Sequence, residues 1–102
     1  MPQNPIIAAV VTQSKKVTAA EVVKAVGGTL VSIIVDNPGS GGALTLNDVA
    51  TVGGAGSGNQ ILSVPFGNLT AGQVMTIFYP AKTGIVVSAV PSGGGAVKVS
   101  FA

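Results

Sequence analysis

Apolar and polar residues alternate with a period of two through most of the chain, the signature of strands with one buried face. Residues 30–35 put Val31, Ile33 and Val35 on one side and Ser32 on the other. Residues 43–48 follow, with Leu44 and Leu46 facing inward. Between them the run Asp36-Asn37-Pro38-Gly39-Ser40-Gly41-Gly42 is a dense turn signal, so the two strands are expected to pair as a long-looped hairpin. Residues 60–66 and 73–79 read as two more strands, with Gly67 and Gly72 in the connection. The last pair gives the clearest hairpin signal. Residues 85–90 lead through Pro91-Ser92-Gly93-Gly94-Gly95 into 96–101, where Val97, Val99 and Phe101 alternate with Lys98 and Ser100.

The N-terminal third is less regular. Thr18 with Glu21 three residues on resembles a helix start, but Val22, Val23 and Val26 are β-branched and Gly27-Gly28 follows at once. The β-branched content favours a strand over 22–26. Residues 1–16 are expected to form an edge strand or an extended arm, with one domain over 17–102. Six to eight short strands with little helix predict an all-β fold, a small antiparallel sandwich or barrel with an extended N-terminal segment.

Composition then narrows the function. The chain has 102 residues, 15 of them Gly, with five Lys against three acids. Charged residues make up 8%, against about 25% in an average domain. With no His, Cys or Arg, the commonest general base, thiolate chemistry and the bidentate anion fork are all missing. No Ser-x-x-Lys occurs, and Gly54-Ala55-Gly56-Ser57-Gly58 lacks the spacing of a phosphate loop. Residues 53–59 read instead as a flexible hairpin loop.

Asp36 and Asp48 are the only acids near each other in sequence. In the expected hairpin they lie roughly 17 Å apart at ~3.3 Å per residue, too far for a catalytic pair. Asp36-Asn37 is better read as opening an Asx turn. No enzyme, cofactor or metal site is expected.

A net charge of +2 and a pI near 9.3 do not imply nucleic acid, because the lysines are scattered and only four aromatics are present. Mean hydropathy is +0.66, yet the apolar run 25–35 is half the length of a membrane span. Residues 1–12 lack the basic start of a signal peptide. Strand faces this poor in charge are a liability in a free monomer. They suit a homo-oligomer, or a subunit covered in an assembly.

From Gly28 onward the chain resembles small β-sandwich virion proteins of tailed bacteriophages. Gly28-Thr29-Leu30, Ile33-Ile34-Val35-Asp36-Asn37, Leu44-Thr45-Leu46-Asn47-Asp48 and the pair 83–87 with 97–101 carry the likeness. The resemblance implies a capsid decoration, or cement, protein with no catalytic residues, bound to the major capsid protein or another virion protein. It also implies a place on the capsid exterior after assembly in the host cytoplasm. The expected contact residues are Pro2, Pro5, Ile6, Ile7, Val10 and Val11 of the arm, with Tyr79 as an exposed anchor. A receptor- or carbohydrate-binding module and a bacterial surface or pilus-like subunit are the alternative classes.

Overall fold

The computed structural model describes residues 12–102. Among them are eight strands and no α-helix. The strands are β1 (Gln13–Val17), β2 (Glu21–Lys24), β3 (Gly28–Asn37), β4 (Ala43–Asn47), β5 (Gln60–Pro65), β6 (Val74–Ala81), β7 (Ile85–Ala89) and β8 (Ala96–Phe101). They form two four-stranded antiparallel sheets, in the order β1-β8-β3-β6 (sheet A) and β2-β7-β4-β5 (sheet B). This is the strand order of an eight-stranded jelly roll, two Greek keys folded face to face. Residues 22–26, expected as a strand, lie partly in β2.

The core lies between the sheets. Sheet A contributes Val17, Leu30, Ile33, Val35, Val97, Val99 and Phe101; sheet B contributes Val23, Leu44, Leu46, Ile85 and Val87. Alternation explains most of this set. In β8 the buried residues are Val97, Val99 and Phe101, while Lys98 is exposed.

Both expected hairpins that carried the sequence argument are overturned. β3 lies in sheet A and β4 in sheet B, so segment 38–42 arches from one sheet to the other. The same holds for β7 and β8, whose Gly-rich connection is a second arch. Alternation marks which side of a strand is buried but not which strand lies beside it. The two arches pair with each other at one end of the sandwich. Ser40 donates to the Ser92 carbonyl at 2.8 Å, and Ser92 donates to the Gly41 carbonyl at 2.9 Å. Gly93 is required there: its φ is +77°, and a Cβ would run into the Ser40 side chain.

Bulges shift the faces of sheet A. Val31 of β3 is the extra residue against β8, since Leu30 pairs with Phe101 and Ser32 with Ser100. Ile77 and Phe78 of β6 together oppose Val31. Leu30 therefore takes the buried place expected for Val31, which is only half-buried.

Candidate interaction surface

Each of the three acids has a different setting. Asp48, at the end of β4, accepts backbone N–H bonds from Lys82, Thr83 and Gly84 at 2.9, 2.8 and 3.2 Å. The Lys82 N–H bond contributes most to lowering its pKa, opposed by partial desolvation and helped by the other two N–H groups. The carboxylate thus fastens the β6–β7 turn to the end of β4, which is a structural task. Asp36 is exposed at a bulge of β3, and the Asx turn beside it is made by Asn37, whose Oδ1 accepts the Gly39 N–H at 2.9 Å. Glu21 meets Lys15 at 2.9 Å, bridging the edges of the two sheets. With β3 and β4 in different sheets, the ladder once expected between Asp36 and Asp48 does not exist.

The Gly-rich segment after β4 does connect two paired strands, β4 and β5, but it is not loose. It folds into two 3-10 turns, Val52–Gly54 and Ser57–Asn59. The first lies against β7, the strand that holds Val86, which is fully buried yet outside the inter-sheet core cluster. Asn47 holds the segment down. Its Nδ2 donates to the Gly56 carbonyl at 2.9 Å and to Asn59 Oδ1 at 2.8 Å, and its Oδ1 accepts from Ser88 Oγ at 2.6 Å. Asn59 in turn accepts from the Gly56 N–H at 3.0 Å and donates to the Gly54 carbonyl at 3.0 Å. A segment nearly free of side chains is thereby fixed by two asparagines. An open cup of about 360 Å³ remains beside it, lined by Thr45, Ser57, Gln60 and Ser88 with Val52 at the wall.

The outer face of sheet A carries no such cover among the described residues. The register aligns Ser14, Ser100, Ser32 and Thr76 in one row across all four strands. The next row is Lys16, Lys98, Ile34 and Val74. This second row is thus apolar on β3 and β6 and carries two adjacent lysines on β1 and β8. Like charges directly opposite each other cost a few tenths of a kcal/mol up to about 1 kcal/mol. No acid lies within ion-pairing distance of either lysine among the described residues.

Strand β6 closes this face as a sheet edge. Val74 is 59% exposed, Phe78 61% and Tyr79 37%. Phe78 has φ = +51°, a left-handed conformation that costs a bulky residue roughly 1–2 kcal/mol. The positive φ falls at the bulge of β6, where Ile77 and Phe78 together oppose Val31. Tyr79, the expected anchor, is in this strand opposite Leu30. Pro2, Pro5, Ile6, Ile7, Val10 and Val11 lie outside the described residues.

Sequence reasoning passed over Phe78, Val74 and Asn47. Phe78 left a signal, a second aromatic beside Tyr79 where strict alternation would bury one of them. Asn47 left none, since its partners come from distant segments. Among the described residues, no three His, Cys, Asp or Glu side chains come together in a metal-binding group, and no helix is long and apolar enough to cross a membrane. No family model, curated protein or solved structure matches the chain.

Proposed function

We propose that this protein is a non-enzymatic structural subunit of a bacteriophage virion, a decoration protein that binds the outside of the major capsid protein lattice. The observation that carries this reading is the bare outer face of sheet A. Among the described residues it is uncovered, carries a row of hydroxyls beside the apolar Ile34 and Val74, and ends at the exposed Phe78. The jelly roll recurs in viral capsid proteins, which fits the reading at the level of fold, though the same fold hosts lectins and cupins.

The size of the face sets the mode of binding. Four strands at ~4.8 Å and about eight residues at ~3.3 Å give roughly 500 Å². A stable partner surface buries about 800 Å². A face of this size fits a weak single-site contact, which copies engaged together on a symmetric lattice would strengthen through effective concentration.

The test is co-sedimentation of the purified protein with shells of the major capsid protein encoded in the same genome. Saturable binding, weakened by Lys98→Glu and by Ser32→Asp, supports the proposal. Protein left in the supernatant at saturating shell concentration overturns it. The cup beside residues 48–59 favours one other reading, a small carbohydrate module, because hydroxyls and amides of Thr45, Asn47, Ser57, Gln60 and Ser88 line it beside Val52 and Ala55. It contains no aromatic platform, and an NMR titration with monosaccharides that shifts Thr45, Gln60 and Ser88 would favour that reading instead.

A further inference from the structure

We infer that residues 6–11 of one copy add as a strand to the β6 edge of a second copy. Among the described residues β6 pairs only with β3, so its outer N–H and C=O groups form an open edge. Natural sheets blunt such edges with charge, proline or bulges. At the opposite edge of sheet A, β1 carries Lys15 and Lys16, whereas β6 has no charge. It is interrupted only towards its C-terminal end, by the bulge at Ile77 and Phe78 and by Pro80, so that residues 74–76 form the regular open stretch. The neighbouring edge strand of sheet B, β5, is also uncharged. Its Ile61, Leu62 and Val64 are half-buried against the core, so it presents less apolar surface. Val74 and Phe78 of β6 stand open to a partner.

The occupant is Ile-Ile-Ala-Ala-Val-Val, an uncharged, largely β-branched block preceded by Pro5. Such a segment forms strands readily and aggregates when left bare. Its position excludes pairing as a whole with its own β6. Only Thr12 separates it from β1, and β1 lies three strand spacings from β6, roughly 14 Å at ~4.8 Å each. At ~3.3 Å per residue, Val11, Val10 and Ala9 would all be spent crossing that width. Six residues at ~3.3 Å can span up to about 20 Å, long enough to run along the edge of a second copy. Main-chain bonds would supply affinity in this mode, with alternate side chains covering Val74 and Phe78. The contact joins two different patches, so it generates a ring or chain, or a reciprocal pair. It also supplies the surface that a single sheet face lacks.

Two full-length variants test this. Ile6→Asp with Val10→Asp spoils the arm, and Val74→Lys with Phe78→Lys spoils the edge at two exposed sites outside the core. In sedimentation velocity, the unaltered protein should associate with rising concentration and each variant should sediment as a monomer. An equimolar mixture of the two variants should form a dimer, because one intact arm meets one intact edge. Circular dichroism matching the parent confirms that each variant is folded. A monomeric parent, a variant that still associates, or a mixture that stays monomeric overturns the inference. Capsid binding is not measured, so failure here leaves the decoration reading standing.

Discussion

Replacing Asn47 by alanine removes the anchor of segment 48–59 while leaving the inter-sheet core intact. The side chain makes three hydrogen bonds, to Gly56, Asn59 and Ser88, between 2.6 and 2.9 Å. Each is worth about 0.5–1.5 kcal/mol net, more where a buried partner is stranded. Gly56 is exposed and Ser88 half-buried, so both can recover water. Three such bonds span about 1.5–4.5 kcal/mol, and with both partners rehydrated the expected cost is about 2–3 kcal/mol, in the lower half of that range. For a domain of this size that lowers Tm by about 10–20 °C. Thermal unfolding followed by circular dichroism measures the shift, and amide hydrogen exchange locates it. The Asp48 N–H, which donates to the Asn59 carbonyl at 2.8 Å, and the Gly56 N–H should exchange faster, as both rely on Asn59 staying in place. The β8 amides should keep their protection relative to global stability. A loss below about 0.5 kcal/mol, the floor for one hydrogen bond, with unchanged exchange at Gly56 would refute the anchoring role.

Three further outcomes follow from the same structure. Asp48 has a lowered pKa, so its stabilising contribution is complete above the ordinary carboxylate value of 3.8 and fades as pH falls through the folded value. In urea titrations the stability gap between parent and Asp48→Asn should be constant near neutrality and narrow in acid; a gap that widens in acid would contradict the clamp. Gly93→Ala should cost more than about 1 kcal/mol, because φ = +77° is strained for any side chain and Ser40 occupies the Cβ position. A neutral effect in the same titration would mean the arches are free to separate. Phe78→Gly relieves the left-handed strain and should leave stability unchanged or raise it by up to about 1 kcal/mol. Its shell binding should fall, and a large loss of stability would show that Phe78 packs rather than binds.

Much of the architecture was legible in the chain because each strand carries a two-residue alternation that survives folding. Residues 96–101 were read with the bounds of β8, and Val97, Val99 and Phe101 were assigned to the core. Strand partners were not legible. A Gly-rich connection of five to seven residues closes a hairpin or arches between sheets equally well, and only the second occurs at 38–42 and 90–95. The bulges were hidden too, since one extra residue at Val31 inverts the parity on which its burial was assigned. Asp48 reads in the sequence only as the end of a strand, because its three donors lie 34 to 36 positions away. Asn47 was silent for the same reason, with its partners 9, 12 and 41 residues distant. The glycines of 53–59 suggested mobility. Their backbone instead satisfies the asparagines, and small residues let the segment lie close on β7.

The low charge of the chain acquires a location in this account. Lys15 with Glu21 closes one edge, Asp48 secures a turn, and sheet A is left with a face of hydroxyl and apolar groups beside two lysines. Cryo-electron microscopy of capsid shells with and without the protein tests the consequence most directly. The account predicts added density at symmetry-related sites, fitted by the jelly roll with Ser32, Thr76 and Lys98 turned towards the lattice. Shells with no added density, or a jelly roll bound through the cup at Thr45 and Gln60 with sheet A facing solvent, would contradict it.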